Sequence, residues 1–243
     1  MPVVHGWAPV LPAVRVDDQG QPEGFSIDLA RRIAEIAGFD LALKRFDSIP
    51  VWIKGQTEGE AEMLTGAAQL PTLQTTNRFS KPIATASIRL FVRAEEASGI
   101  DLTDFVGRKI GTVPPVAGSE PSPLLDRNVN VPLPSLGTAL IRLLSGEVDG
   151  VLFPEESMLA EAHTAGLDHR IATVGSAIRE FNRVVAIHES RAHLLEPVNA
   201  AIDELEASGE LAEIRRRWFL EAPPPPPRNP DRRHRPFSAL SGD

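Results

Sequence analysis

The stretch DDQGQPEGFSIDLARRIAEIAG, residues 17–38, decides the fold class. Asp17, Asp18, Gln19 and Gly20 supply turn chemistry between two short extended stretches. The spacing beyond them predicts a helix. Ser26 is placed to cap it, Leu29, Ile33, Ile36 and Ala37 fall on one face, and Gly38 is placed to end it in a left-handed conformation. Phe39 to Lys44 reads as a strand, so the chain opens as a hairpin followed by helix and strand, the start of an α/β structure.

The same alternation continues outward. A second helix is expected between Pro50 and Glu58, followed by the short apolar strand AEMLTGAA, whose small terminal residues permit close backbone approach. ASIRLFVRAEE, residues 86–96, is β-rich and leads out of this first unit. GRKIGTV, residues 107–113, reads as the opening strand of a second unit, and SLGTALIRLLSGEVDGVLFPEES as an amphipathic helix followed by a buried strand, Val148 to Phe153. FNRVVAIHES, residues 181–190, is again β-rich. LLEPVNAAIDELEASGELAEIRRRWF then predicts two helices parted near Gly209, with Leu194, Val198, Ile202 and Leu205 on one buried face. After Glu221 the composition changes to PPPPPRNPDRRHRP, a solvated polyproline-type tail rather than core. No internal repeat is visible.

A chain of 243 residues, 42% of them hydrophobic, is long enough for two α/β lobes of about 100 residues each. A formal net charge of -8 gives no long-range attraction for nucleic acid or anionic lipid, so nucleic acid is set aside as a partner. The absence of cysteine removes disulfides, thiolate metal sites and a Cys nucleophile. The six histidines show no i,i+4 pair, and there is no Walker loop, dinucleotide fingerprint or Gly-x-Ser-x-Gly elbow, so neither metal nor cofactor is expected. No run approaches the 18 or so apolar residues that span a bilayer. The start, MPVVHGWAPV, lacks the basic region and apolar run of a secretory signal peptide, which leaves a trimmed export product and a non-exported protein both open.

Six segments in order resemble the extracellular solute-binding protein family 3, the periplasmic binding proteins for polar amino acids and their sensor-domain relatives. DDQGQPEGFSIDLARRIAEIAG is similar to the family's D-x-x-G-x-x-x-G-F-D-x-D-L helix start, with Ser26 where Asp is usual. GEAEMLTG is similar to its G-x-x-D strand start, with Glu62 for Asp, and NRFSKPI to its F-S-x-P-Y element, with Ile83 for Tyr. DLTDFVGRKIGTV, LLSGEVDGVLFPE and the terminal ASGELAEIRRRWF continue the likeness. The resemblance implies a type II periplasmic-binding-protein (Venus-flytrap) fold. It has two α/β lobes joined by two hinge strands, expected at residues 86–93 and 181–187. The first lobe would comprise residues 3–88, the second 93–181, and residues 182–220 would return to the first, with 221–243 a disordered Pro-rich tail.

Such folds bind ligands in the crevice beyond the carboxyl ends of the strands. Trp7, after the first strand, and Trp52, near the helix from Pro50, are candidates for the cleft wall, with core packing as the alternative for each. Thr65, Gly66 and Ala67 end a strand and offer backbone groups to a ligand, tight packing being the other reading. VPPVAGSEPSPLL resembles the family's anion-binding turn. Ala117, Gly118 and Ser119 are its candidates, Ser119 also serving as a helix cap. The carboxylate-clamp arginine of amino-acid binders has no counterpart in PTLQTTNRFS. Thr72 stands in place, but Leu73, Gln74 and Thr75 fill the Arg positions, leaving Arg78 as a candidate against a plain surface role. The ammonium-binding Asp is replaced by Pro154, followed by Glu155, which either meets a cationic group or lies on the surface.

The expected function is therefore that of a non-enzymatic, periplasmic receptor. It would close on a small polar or anionic solute, with a standard α-amino acid disfavoured by the missing Arg and Asp, for ABC-type uptake through a membrane permease or for signalling through a fused or partner protein. A cyclohexadienyl-dehydratase-like enzyme with Glu155 as general acid, and a sensor or interaction module working without ligand, are the rival readings.

Overall fold

The computed structural model describes residues 1–114 and 122–220. The chain begins with β1 (Val3–Trp7), a small ribbon of β2 (Arg15–Val16) and β3 (Pro22–Glu23), then α1 (Phe25–Ala37) and β4 (Leu41–Arg45). Gly38 closes α1 in the left-handed conformation, φ 74° and ψ 37°, with its N–H on the Ala34 carbonyl, as the sequence predicts. The other end differs. Gly24 is the N-cap, at φ 133°, so the helix starts at Phe25 and Ser26 lies inside the first turn, making no capping bond. Only glycine accepts that φ readily, and this shifts the start by two residues.

The first lobe continues with α2 (Ile49–Thr57), β5 (Met63–Ala67), the single turn α3 (Pro71–Gln74) and β6 (Asn77–Phe79). Next come β7 (Ala84–Arg93), β8 (Lys109–Thr112), the turn α4 (Pro123–Asp126), β9 (Val129–Pro132), α5 (Leu136–Leu144), β10 (Gly150–Pro154), α6 (Glu155–Thr164) and the 18-residue β11 (Ile171–His188). The chain ends with α7 (Leu195–Ala207), α8 (Glu210–Arg215) and a π-helical turn, Arg216–Leu220. Gly209, at φ 80°, separates α7 from α8, and Val198, Ile202 and Leu205 are buried on the face the spacing predicts.

Each lobe repeats one strand plan. In the first, parallel β4, β1 and β5 are followed by antiparallel β11, with β6 beyond it; in the second, parallel β9, β8 and β10 are followed by antiparallel β7, with β11 beyond it. β7 and β11 therefore serve both sheets. Residues 84–87 and 180–183 pair only with each other, forming the two-stranded ribbon between the lobes. The spans expected from sequence, 86–93 and 181–187, overlap this ribbon but run past it, because Leu90 and Phe91 already pair with β10 and Val184 to Ile187 with β5.

Apolar layers cover both faces of each sheet. α1, α7 and α8 bury Phe25, Leu29, Ile33, Ile202 and Trp218 against one face of the first, while Phe46, Trp52, Leu64 and Leu73 fill the other. α5 and α6 pack Leu140, Leu143 and Met158 on the second sheet. Ile49, at the start of α2, packs against this second-lobe layer and brings the lobes into contact. Glu62 ties the first lobe's edge together: its carboxylate accepts from the Val4 N–H at 3.0 Å and from Arg191 Nε at 2.9 Å. Among the described residues no helix is long and apolar enough to cross a membrane.

Candidate functional site

A cleft of about 580 Å³, counted with the part open to solvent, lies between the lobes. The first lobe supplies Ser26 from the first turn of α1, Ile49, Trp52 and Ile53 from α2, and Leu64, Gly66 and Ala67 from β5. The second supplies Phe153 and Pro154 at the end of β10 and Ser157 on α6; Phe181 and Arg183 come from the ribbon strand β11. Strand ends and a helix start converge here because parallel strands all point their carboxyl ends toward the same edge. Among the described lining residues, Arg183 is the one with a formal charge.

Arg183 is 9% exposed. Its Nη1 donates to the Gly66 carbonyl at 3.0 Å, on the first lobe, and its Nη2 pairs with Glu156 Oε1, on the second. The guanidinium also lies 5.5 Å from the centroid of the Phe181 ring. One buried cation thus holds both walls of the cleft from the ribbon that joins them. A buried charge demands such a partner, and Glu156 supplies it. Beside this network, the Ser26 hydroxyl is buried and without a hydrogen-bond partner. It lies against Gly66: a Cβ there would come 2.9 Å from Ser26 Oγ.

Residues 4–221 match the sequence profile of the bacterial extracellular solute-binding proteins, family 3. The chain belongs to that family. The two-lobed architecture of this family 3 protein matches that of type II periplasmic binding proteins. The amino acid ABC transporter substrate-binding protein AbpA from Streptococcus pneumoniae, solved with L-arginine bound, superposes with a TM-score of 0.77 at 25% identity, over 90% of this chain and 94% of that one. A histidine kinase sensor domain with similarity to periplasmic binding proteins gives 0.77 at 20%, over 90% and 96%. The membrane-bound lytic murein transglycosylase F of Ectopseudomonas mendocina (strain ymp) is 24% identical over 220 residues, 86% of this chain. The chain spans 44% of that protein's length.

Of the residues named from the sequence of this family 3 member, the structure brings Trp52, Gly66, Ala67 and Pro154 to the cleft. Trp52 is 8% exposed, with its indole nitrogen turned toward Gly6 of β1, so only part of the ring borders the cleft. Trp7 is not brought there. It is buried against Val14 and Ile27, with the Arg45 guanidinium 5.7 Å over its ring, on the α1 side of the sheet. Thr65 is fully buried, and its N–H donates to His5 Nε2 at 3.2 Å. His5 accepts that bond as a neutral ring, its pKa lowered from 6.5 to about 4 by burial and by the Arg31 charge.

Thr72 lines a separate, open hollow with Pro50, Lys54, Thr57, Glu58 and Pro114. Arg78 is exposed on β6 and pairs with Glu189 at 2.9 Å, away from the cleft lining. A one-residue step along an extended strand turns a side chain to the opposite face, and Arg78 points outward. Glu155 heads α6 and faces Arg89 at 3.6 Å, also outside the lining. Ala117, Gly118 and Ser119 lie outside the described residues. Ser26, Ser157, Phe181 and Arg183 are cleft residues that sequence reasoning missed. The one available signal was Arg183 itself, a charge directly before the apolar stretch VVAI of the β-rich run FNRVVAIHES.

Proposed function

We propose that this protein is an extracytoplasmic receptor whose lobes, approximately residues 3–88 with 182–220 and residues 93–181, close on a small solute in the cleft. The closed form is what a membrane permease or a signalling partner reads. The observation that carries this reading is the bridge from Arg183 on β11 to Gly66 in one lobe and Glu156 in the other. A ligand bound at that bridge touches both walls, so its affinity depends on their separation. That unequal affinity is what allows a ligand to shift an open–closed equilibrium. The proposed contact residues are Trp52, Gly66, Ala67 and Pro154, with Ser26, Ser157 and Arg183 added. AbpA, whose name describes amino acid transport, and the histidine kinase sensor domain supply the two kinds of downstream partner.

The test is a thermal-shift screen of small solutes followed by solution scattering on every hit. A compound at 100 times its dissociation constant stabilises the folded state by about 2.7 kcal/mol, which moves Tm by several degrees. Hits should also lower the radius of gyration. Stabilising compounds that leave compactness unchanged rule out closure as the response.

A further inference from the structure

We infer that the interlobe cleft takes a small monocarboxylate with an apolar body, anchored on the Arg183 guanidinium, and that Glu156 is a built-in competitor occupying this anchor when no ligand is bound. The inference deepens the receptor reading and rests on it.

The charge balance of the cleft fixes the ligand's charged end. Arg183 is buried, is the one charged residue among the described lining residues, and is neutralised by Glu156 from outside that lining, so a ligand carboxylate that exchanges with Glu156 at its fork keeps the charge balanced. A guanidinium presents five N–H donors in one plane, matched to the two oxygens of a carboxylate. Gly66 uses one side of Nη1 and Glu156 meets Nη2. Against the same Gly66 lies the Ser26 hydroxyl, 1% exposed and unpartnered. It sits in the first turn of the 13-residue α1, where the helix dipole favours negative charge. Arg183 and Ser26 therefore flank one point of the wall with donors for one carboxylate.

The remainder of the cleft fixes the body. Leu64, Leu70, Ile53, Phe153 and Phe181 line the same cleft, so the part of the ligand beyond its carboxylate is transferred onto hydrocarbon. For an α-ammonium the wall offers Pro154 at the end of β10, whose side chain has no acid or other acceptor. An ammonium in that position meets no acid among the described lining residues. Deamination of the ligand removes this cost, which is why the carboxylate without the amine fits better.

Exchange for a ligand carboxylate leaves Arg183 paired throughout, so the cost falls on Glu156 alone. It lies in the first turn of α6, where its charge remains favourably placed after release, and it belongs to the lobe that moves away on opening. In the closed, ligand-free form it neutralises Arg183; a ligand carboxylate replaces it one for one.

The experiment is titration calorimetry on the full chain with benzoate, 3-phenylpropanoate and 4-methylvalerate. Benzamide serves as neutral isostere and phenylalanine and leucine as amino counterparts, each against wild type, Glu156→Gln and Arg183→Gln. The carboxylates should bind, benzamide should not, Glu156→Gln should tighten carboxylate binding by about tenfold or more, and Arg183→Gln should abolish it. Should Arg183→Gln not fold, Glu156→Gln decides alone. Unchanged or weaker carboxylate binding in that variant overturns the inference, as does tighter binding of phenylalanine or leucine than of their deaminated counterparts. If amino acids, amines or neutral solutes close the lobes and carboxylates do not, the receptor reading stands and the ligand class is wrong. If no compound of any class binds wild type or Glu156→Gln, the receptor reading itself fails.

Discussion

The indole Nε1 of Trp218 donates to Asp28 Oδ2 at 2.8 Å, so the end of the described chain is fastened to the first helix across 190 positions of sequence. Both residues belong to family-like segments: Asp28 to the opening turn-plus-helix and Trp218 to the closing helix. Trp218 is buried in the layer formed by α1, α7 and α8. Phe219 adds a ring contact to Phe25 at 4.6 Å between centroids. The contact is what returns the C-terminal helices to the first lobe after the chain has built the second.

Trp218→Ala should destabilise the protein by about 3–5 kcal/mol, the usual cost of emptying a buried aromatic site. Trp218→Phe keeps much of the apolar area and loses the hydrogen bond. It should cost less, about 1–2 kcal/mol, since Asp28 retains Arg217 at 3.5 Å and access to water. Urea-unfolding midpoints of the two variants check this. Equal losses in both would mean that the hydrogen bond, rather than packing, fastens the chain end.

Gly20 and Gly24 occupy the two glycine positions of the D-x-x-G-x-x-x-G turn before α1, yet they should respond differently to alanine. Gly20 has φ 80° with nothing within 4 Å of an added Cβ, so Gly20→Ala carries only the left-handed backbone cost, about 1 kcal/mol. Gly24 has φ 133°, and its Cβ would come 2.4 Å from the Ala13 carbonyl oxygen. That oxygen accepts the Ser26 N–H at 3.0 Å, so the clash falls on the contact that seats the first turn of α1. Gly24→Ala should cost at least about 3 kcal/mol. Thermal unfolding of the pair tests the ranking, and similar losses would show that the wall at Ala13 yields.

The sequence made the architecture readable because each lobe announces its elements locally: helix faces at spacings of three and four, glycines at helix ends, and short apolar strands. The cleft was less readable. Gly66, Ala67 and Pro154 follow from strand ends, which local pattern locates. Arg183 does not, because its placement depends on β11 pairing with β5 in the register Val184 to Ala67, a contact across more than 100 residues that no local signal encodes. The full length of β11 was hidden for a related reason. A register irregularity between Val174 and Arg179, at Gly175, breaks the alternation that would otherwise mark one long strand. Ser26 was misread as a cap because its residue type favours that role, whereas the backbone at Gly24 had already set the start.

Glu161 should weaken the fold at neutral pH. Burial between α5 and α6 raises its carboxyl above the usual value. The native state therefore binds a proton more readily than the unfolded chain, and stability falls as pH rises from the ordinary carboxylate value through the raised one. Glu161→Gln removes that loss. It should be more stable than wild type at pH 7 and match it near pH 4. Tm differences between the two proteins at both pH values check the sign; a constant difference at the two would assign the effect to packing.

His5 should give the opposite slope. The ring is fully buried, accepts the Thr65 N–H through Nε2, and has its pKa lowered from 6.5 to about 4, first by burial and then by the Arg31 charge. Below 6.5 the unfolded chain takes up a proton that the native state refuses, so stability is whole above that pH and declines as pH falls toward 4. The interval corresponds to a loss of the order of 3 kcal/mol. His5→Gln, which cannot take up a proton, should be less stable than wild type at pH 7 because the bond to Thr65 is disturbed, and the deficit should shrink steadily between pH 6.5 and 4. Urea midpoints measured at half-unit steps for both proteins read this directly. A deficit that stays constant across the range would mean that His5 opens to solvent and titrates normally, and that the Thr65 bond does not hold the ring neutral.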